Sequence, residues 1–477
     1  MRRGKRLLIM LLALALVALA AAGAVYLLPD EDLEEYEEIT LLSFEQENAQ
    51  ALSYTYEDET VELVNDDGTW EYALDADFPL DSSYVDSMLA SLSSLAATQE
   101  ITAPEDTAQY GLDEPVLTVT LTLDEEITLT FGDETTMGGE RYVSTGDGNV
   151  YLVDSAITSP FSYGLYDLIE FESVPDMSDT VSLTVESDTQ SYTIEHITED
   201  APEYTDYYEW FLVTDDGYLT LDNTSARGVV SGVTGVSWQQ CVSYNATGDD
   251  LAEYGLDTPS ATATVRYIYT EEDEDGNETE YETTFTLELG DYTEDGVYAR
   301  IADSEMVYIA EASVLDNLLD LTPETDMIPT EPVRLTLDDV TGFDVTVDGE
   351  TYSVTITHET VYDDDGNAAE EVTYTLADGT ELDTETVDGA LSTLNGMTGD
   401  GTATDRSGTE LASFTFYQER GGYETVTLSF KTYNSSDCLT TLNGETGILA
   451  PLDSVQTAVD DLLAAFSGET GEEETEE

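Results

Sequence analysis

Two short stretches of nearly identical sequence decide how this chain is organised. Residues Tyr110–Pro115 read YGLDEP, and residues Tyr254–Pro259 read YGLDTP. Glycine tolerates the left-handed conformation in which many helices end, and the proline four residues later cannot continue a helix. Each stretch follows a short helical pattern and precedes a β-patterned segment. The motif therefore predicts a corner between a helix and a strand, and its recurrence predicts a duplicated domain.

The second copy allows a more detailed prediction of the corner. Asp249 is expected to cap a one-turn helix, and Leu256 is expected to contact Leu251, as in a Schellman ending. The motif contains no arrangement typical of catalysis, so we interpret it as structural.

Composition indicates a folded protein of several domains. The chain has 477 residues, and about three domains are expected for this length. Hydrophobic residues make up 40%, and there are 30 tyrosines. This composition is unlike that of a disordered acidic tail.

The charge is extreme and very unevenly distributed. Four of the 12 basic residues lie within Arg2–Arg6, whereas all 105 acidic residues follow Leu28, which leaves a net charge of −97 beyond that point. Such a surface repels phosphate groups, so a role in binding nucleic acid is excluded. Salt or divalent cations should reduce the self-repulsion, and weak binding of divalent cations is expected.

The N-terminus resembles a membrane leader. Leu7–Leu28 is an unbroken run of 22 apolar or small residues that follows the basic cluster. It is long enough to span a bilayer as a helix, with its N-terminus in the cytoplasm. A cleaved signal peptide is the alternative, with cleavage near Ala20–Ala24. We favour an uncleaved, single-pass anchor because the apolar run continues past those sites, and the remainder should then be extracytoplasmic.

The first repeat is predicted to contain, in this order, a hairpin, a helix, the corner motif and a meander of strands. Val61–Val64 and Thr69–Tyr72 flank the turn sequence NDDG, and a helix is predicted from Ser82 to Ala97 with Asp81 as its cap. Its apolar face would contain Val85, Met88, Leu89, Leu92 and Leu95. Alternating residues after the corner predict antiparallel strands with one exposed face.

The second repeat follows the same order. A hairpin is predicted from Trp210 to Leu221, followed by a helix, the corner and strands at Ala263–Tyr269 and Thr283–Leu289. A third, degenerate copy has predicted helices at Glu385–Leu394 and Asp453–Phe466, with Arg406–Glu410 in place of the corner motif.

The predicted fold class is α+β: an N-terminal transmembrane helix followed by tandem repeats of an antiparallel meander sheet with packed helices. The predicted domains are the basic tip and anchor (1–28), an acidic spacer (29–38), the three repeats (39–178, 179–330 and 331–466) and an acidic, disordered tail (467–477).

These features resemble a bacterial envelope family, the proteins grouped as domain of unknown function 4340. The resemblance rests on four features: the leader, the strand ending in Trp70, the helix before the YGLDxP corner and the β-run ending in Gly132. The resemblance implies a membrane-associated extracytoplasmic protein without an assigned enzyme activity. It also implies an accessory role beside ABC-type transport systems, and it brings no functional residues with it.

The search for catalytic residues yields no candidate site. His196 and His358 each lie in an alternating strand pattern, where a structural role is expected. The sequence contains no serine-hydrolase elbow, zinc-protease motif or phosphate loop. We therefore predict a protein that is not an enzyme, with no catalytic, cofactor-binding or metal-binding residues and no cofactor.

Two acidic loops and two cysteines leave alternatives open. Asp273–Asn277 and Asp363–Asn367 resemble calcium loops superficially, but hairpin turns are the preferred interpretation because neither has the full ligand spacing. Cys241 and Cys438 could form one disulfide, or they could remain two unpaired buried thiols.

Three functions follow from these observations. The preferred one is a non-enzymatic binding or scaffolding protein, accessory to an ABC-type transport system. The alternatives are an envelope module that responds to divalent cations and, third, a hydrolase that uses a pair of carboxylates.

Overall fold

The computed structural model describes residues 39–56, 59–273, 275–362, 368–399, 401 and 408–468. They form two compact units, one extending to Phe171 and the other starting at Glu172. The first unit contains a two-stranded and an eight-stranded sheet, and the second contains a nine-stranded and a seven-stranded sheet.

The first unit is built mainly from short antiparallel strands. The strands are β1 (Ile39–Ser43), β2 (Ala51–Tyr56), β3 (Glu59–Asp66), β4 (Thr69–Tyr72), β5 (Ser94–Ala97), β6 (Gln99–Ile101), β7 (Leu117–Thr122), β8 (Glu126–Glu134), β9 (Glu140–Ser144) and β10 (Val150–Asp154). Strands β1 and β5 pair with each other, and the large sheet has the order β4-β3-β2-β7-β8-β9-β10-β6. The alternation along β7 buries its leucines and valine and leaves its threonines half-buried, as predicted.

Helix α1 (Ser82–Leu92) follows β4, and the Asp81 carboxylate accepts a hydrogen bond from the Ser83 backbone N–H at 2.9 Å. The predicted cap is therefore confirmed. The predicted C-terminal end at Ala97 is wrong, because the last residues pair with β1 as strand β5, where Leu95 is buried. Short 3-10 helices complete the unit: Gln46–Asn48, Ala108–Tyr110, Ser155–Phe161 and Leu165–Leu168.

The second unit begins with the nine-stranded sheet. Its strands are β11 (Asp179–Ser187), β12 (Ser191–His196), β13 (Trp210–Thr214), β14 (Gly217–Thr220), β15 (Gln240–Ser243), β16 (Ala261–Glu272), β17 (Glu278–Tyr292), β18 (Val297–Ile301) and β19 (Val307–Ala310). Their order is β14-β13-β12-β11-β16-β17-β18-β19-β15. The accompanying helices are α2 (Asn223–Thr234), α3 (Ala312–Leu319), α4 (Pro323–Asp326) and a 3-10 helix (Gly248–Tyr254).

The seven-stranded sheet completes the second unit. Its strands are β20 (Val340–Val347), β21 (Glu350–Tyr362), β22 (Ala368–Leu376), β23 (Glu410–Gln418), β24 (Thr425–Thr432), β25 (Asp437–Leu442) and β26 (Glu445–Pro451). Their order is β22-β21-β20-β23-β24-β25-β26. A 3-10 helix (Leu337–Asp339) precedes the sheet, and α5 (Thr384–Asn395) and α6 (Leu452–Ser467) share one apolar core with it. Both predicted helices of this segment are confirmed.

One order of seven strands occurs in all three large sheets. Strands β4-β3-β2-β7-β8-β9-β10 have the same succession as β13-β12-β11-β16-β17-β18-β19 and β22-β21-β20-β23-β24-β25-β26. In each case a helix connects the strand at one end to the strand in the middle. Strands β6, β14 and β15 are additions to this pattern. The residue bounds predicted for the repeats remain predictions.

This correspondence corrects the predicted alignment of the hairpins. Trp70 lies opposite Asn65 in β3 and β4, and Trp210 lies opposite His196 in β12 and β13. The strand that begins at Trp210 therefore matches the strand of Trp70, and β14 has no counterpart among the described residues of the first unit. Similar turn sequences made the hairpins look equivalent, but the pairing within each sheet decides the alignment.

The predicted fold class, which included a transmembrane helix, is wrong, although the antiparallel sheets that it also included are present. Antiparallel sheets dominate the described residues, and the helices found there lack the length and the apolar sequence that a membrane span requires. The apolar run Leu7–Leu28, the acidic spacer and the tail beyond Gly468 lie outside the described residues.

Both predicted corners are present. Gly111 and Gly255 have φ values of 72° and 67°, so each ends its 3-10 helix in the left-handed conformation. The Leu256 N–H donates to the Leu251 carbonyl at 2.9 Å, which is the expected Schellman bond. Asp249 is not the cap, because the helix begins one residue earlier and the Asp250 carboxylate accepts from the preceding Thr247 N–H at 3.3 Å.

Candidate binding groove

A long loop joins the two sheets of the second unit. Residues 197–209 connect β12 to β13, whereas the corresponding strands β3 and β4 of the first unit are joined by a tight turn at Asp67 and Gly68. The loop contains Tyr204, whose side chain is buried in the apolar core of the seven-stranded sheet. The loop is therefore an insertion through which the nine-stranded sheet contacts the seven-stranded sheet.

Hydrogen bonds hold the loop in this position. The Tyr204 hydroxyl accepts from the Arg334 backbone N–H at 2.9 Å, and the Gln418 side-chain amide donates to the Tyr204 carbonyl at 2.9 Å. The Arg420 Nε atom donates to the Glu203 carbonyl at 2.8 Å. Each bond joins the loop, which belongs to the nine-stranded sheet, to the segment that forms the seven-stranded sheet. The bonds therefore fix the relative positions of these two sheets.

Charged groups strengthen the same contact. The Arg420 guanidinium pairs with the Asp206 carboxylate, and the Arg334 guanidinium lies 4.2 Å from the centre of the Tyr207 ring. These two arginines are among the eight basic residues that follow Leu28. Two of the few positive charges in this part of the chain therefore help to hold the loop.

A groove of about 460 Å³ lies beside the loop. Its lining residues come from three parts of the chain: the loop together with β14, residues 328–332, and the β25–β26 hairpin. Tyrosine, proline, leucine and isoleucine side chains line it together with Glu203, Glu331 and Glu445. The described residues that line the groove include no lysine, arginine or histidine.

Strand β14 presents an open edge to this groove. It is the terminal strand of the nine-stranded sheet. The Leu221 N–H donates to the Trp210 carbonyl at 3.0 Å, and bonded and non-bonded pairs alternate along an antiparallel ladder. The backbone groups of Thr220 and Tyr218, one and three positions earlier, therefore point away from β13. Both residues also line the groove.

The tyrosines of the groove are held in their neutral form. Burial raises the pKa of Tyr208, and the nearby Tyr204 and Glu331 raise it further. Burial is likewise the main cause of the raised pKa of Tyr204. The Tyr208 hydroxyl points toward the Glu331 carboxylate at 3.5 Å, while Glu203 accepts hydrogen bonds from the Thr220 hydroxyl and from a backbone N–H. The groove is therefore acidic and aromatic, which suits a cation.

A second cleft, of about 620 Å³, contains His196. The His196 ring stacks on the Trp210 ring with centroids 4.6 Å apart, and its Nε2 atom lies 3.6 Å from a Glu209 carboxylate oxygen. Arg227 from α2 pairs with the same carboxylate. The prediction that His196 is a strand residue is confirmed, since it ends β12. Its grouping with Glu209 and Arg227 was not predicted, because the three residues are far apart in sequence.

His358 and the two cysteines also occupy structural positions. His358 lies in β21, and its Nε2 atom is 3.2 Å from the Val340 carbonyl oxygen. Cys241 and Cys438 are both buried and unpaired, so the interpretation as two separate thiols is confirmed. Burial raises the pKa of each thiol to about 11.

The first acidic loop is a hairpin turn. One carboxylate oxygen of Asp273 accepts hydrogen bonds from the Asp275 and Asn277 backbone N–H groups, each at 2.9 Å, and Gly276 has a φ of 81°. The Asn277 side chain also donates to Asp273, and these bonds lower the pKa of that carboxyl group. The second loop, Asp363–Asn367, lies outside the described residues.

The comparisons with known proteins agree with this architecture. The family described as Domain of unknown function (DUF4340) matches residues 70–173 and 210–416, which together make up more than half of the chain. The chain belongs to the DUF4340 family. The resemblance inferred from the sequence is confirmed, as are the two copies. No curated protein matches the chain, and no solved structure matches it either.

The DUF4340 matches begin at the two tryptophans that occupy equivalent positions, Trp70 and Trp210. They include β14 and residues 328–332, but they leave out the loop 197–209 and the β25–β26 hairpin. The groove therefore combines parts inside and outside the matched regions, and the family description assigns no function to any of them.

Proposed function

We propose that this DUF4340 protein is a non-enzymatic binding or scaffolding protein that acts outside the cytoplasm. The observation that carries the proposal is the groove at the junction of the two sheets of the second unit, where the open edge of β14 meets an acidic, aromatic surface. Hydrogen bonds to Arg334, Gln418 and Arg420 hold the loop 197–209, which lines part of the groove, so the groove is preformed. A preformed groove lowers the entropic cost of binding.

The proposed partner is a subunit of an ABC-type transport system. The family resemblance supports this partner. The N-terminal sequence, a basic cluster followed by the apolar run Leu7–Leu28, supports export of the acidic residues that follow it. An accessory protein of this kind would hold a loop or an extracytoplasmic segment of the transporter. The acidic surface would favour partners with positive charge.

Site-specific crosslinking in the native host tests this function. A photo-crosslinking amino acid replaces Tyr218 in the groove or, as the control, Tyr281 on the distant β16–β17 hairpin, since the two side chains have similar exposures of 47% and 43%. We expect mass spectrometry to recover membrane subunits of a transporter from the position of Tyr218 alone. Recovery of no transporter subunit from either position would contradict the transporter role.

The cation-responsive envelope module is the second candidate because two long hairpins place carboxylates directly opposite each other. Glu272 faces Glu278 across β16 and β17, and Glu359 faces Glu371 across β21 and β22. Like charges in such positions destabilise a strand pair. Millimolar calcium should therefore raise the melting temperature more than sodium chloride of the same ionic strength, and an equal effect of the two salts would rule this function out.

No observation favours the hydrolase. That function requires a carboxyl group with a raised pKa in a cleft. The described carboxyl groups with a resolved shift have lowered pKa values, because hydroxyl, amide and backbone N–H groups bond to them: Asp147, Asp273, Asp378 and Asp383.

A further inference from the structure

We propose that the groove binds an extended segment of a partner protein that carries lysine or arginine and adds as a further strand to the edge of β14. This inference rests on the proposed function and specifies the partner by its chemistry. It requires a backbone edge that is open, a groove of suitable size and a surface that selects positive charge.

The edge of β14 is open and poorly protected. The N–H and C=O groups of Tyr218 and Thr220 point away from β13, so a segment of another chain could bond to them as a tenth strand of this sheet. Natural edge strands are usually protected by proline, lysine or a bulge. Strand β14 has the sequence GYLT and contains none of these, and its Tyr218 and Leu219 side chains are exposed. Only its short length limits pairing.

The size of the groove selects a segment of chain. A volume of about 460 Å³ accommodates a few side chains but not a folded domain. Ile448 and Leu442 on the β25–β26 hairpin add apolar surface to the groove that Tyr218 and Leu219 of β14 also line. An extended segment on β14 would present alternate side chains to the two faces of the sheet, so one set of its side chains could contact apolar residues of the groove.

The chemistry of the groove selects positive charge. Glu331 and Glu445 line it together with the Tyr208 and Tyr218 rings, and carboxylates and aromatic faces both attract ammonium and guanidinium groups. An anionic segment would be repelled by the net charge of −97 that follows Leu28. The same repulsion makes the acidic part of a second copy of this chain a poor occupant.

Binding of a labelled peptide to the purified full chain tests the charge requirement. The probe is a fluorescein-labelled octapeptide of alternating lysine and threonine. Its binding is measured by fluorescence anisotropy at fixed ionic strength. We expect the double variant Glu331→Lys and Glu445→Lys to weaken binding at least tenfold. The control, Glu278→Lys and Glu280→Lys on the β16–β17 hairpin, changes the net charge equally and should stay within twofold of the unmodified chain. Equal weakening by both double variants would show nonspecific attraction and overturn the proposal.

A second comparison tests the strand addition. An octapeptide of the same charge, methylated on alternate backbone nitrogens, cannot form the complete ladder and should bind at least tenfold more weakly. On the protein, Tyr218→Pro removes an outward-facing N–H and the ring, whereas Tyr218→Ala removes the ring alone. We expect the proline variant to bind more weakly than the alanine variant, with melting temperatures confirming that both fold. Equal affinities for both peptides, with full competition by spermine, would show a cation site without strand addition and overturn the proposal.

The outcome is separable from that of the crosslinking experiment. If transporter subunits crosslink at the position of Tyr218 but neither peptide comparison behaves as expected, the binding function stands and the strand addition is wrong. If the peptide binds as expected but no transporter subunit is recovered, the transporter role is wrong and the groove remains a peptide site.

Discussion

Gly132 lies directly against the carbonyl oxygen of Tyr110: a Cβ atom built on this glycine would be 2.0 Å from that oxygen. The same relationship recurs in the second copy, where a Cβ atom on Gly290 would be 2.1 Å from the carbonyl oxygen of Tyr254. The corner motif and the glycine that ends the following β-run are therefore two halves of one contact. This contact gives a physical reason for both features in the repeated pattern.

The contact predicts the effect of adding a single methyl group. Gly290→Ala should lower the free energy of unfolding by about 2–3 kcal/mol, because the new methyl group collides with backbone that cannot move freely. Thermal unfolding of the full chain measures the change. Gly228→Ala is the matched control, since Gly228 lies in α2 with no atom within 4 Å of the added Cβ, and alanine should stabilise the helix slightly. A melting temperature unchanged by Gly290→Ala would contradict the close contact.

The role of the loop 197–209 predicts an effect of truncating Tyr204. Tyr204→Ala should cost about 3–5 kcal/mol, because a buried aromatic ring leaves the core of the seven-stranded sheet. Tyr204→Phe should cost only about 1 kcal/mol, the value of the hydrogen bond to the Arg334 N–H. Hydrogen exchange of the loop should accelerate strongly in the alanine variant. Unchanged exchange there would show that Tyr204 does not hold the two sheets together.

Tyr192 predicts a stabilising substitution. Its hydroxyl group is buried and has no hydrogen-bond partner among the described residues. Tyr192→Phe removes this cost and should raise the free energy of unfolding by about 1 kcal/mol. Tyr308→Phe is the contrasting variant, because the Tyr308 hydroxyl bonds to both the backbone and the side chain of Glu172 and its loss should destabilise the fold. Denaturant unfolding measures the free energy of unfolding of both variants. If both substitutions changed it in the same direction, the Tyr192 hydroxyl would not be an unsatisfied buried group.

The raised pKa values predict a loss of stability at alkaline pH. Burial raises the pKa of Tyr192 from 10.0 to about 12 and that of Cys241 from 9.0 to about 11. Between pH 9 and 12 the unfolded chain loses these protons while the folded chain keeps them, so the folded state is progressively disfavoured as the pH rises. Below about pH 8 these groups should contribute almost no pH dependence, since both states then keep their protons.

Melting temperatures from pH 8 to 11.5 measure this effect, together with tyrosine ionisation followed by ultraviolet absorbance. We expect some tyrosines to ionise only as the protein unfolds. Tyr192→Phe should make the alkaline decline less steep. A decline that is equally steep in this variant would show that Tyr192 does not contribute to it.

Local sequence patterns determined a substantial part of this protein. The alternation of Leu117, Val119 and Leu121 predicted a half-buried strand, and Gly111 and Gly255 predicted left-handed helix ends. These features depend on interactions between residues a few positions apart. The net charge of the chain and its membership of the DUF4340 family were likewise readable from the sequence.

Only the tertiary structure decided which segments meet. It ended α1 at Leu92 by pairing the following residues with β1, and it aligned the strand of Trp210 with that of Trp70. It also brought the loop 197–209 and the β25–β26 hairpin together in the lining of one groove. These contacts join residues up to about 240 positions apart, so their energies come from the packing of surfaces that are distant in sequence. Periodicity and turn motifs report only on neighbouring residues and cannot predict such contacts.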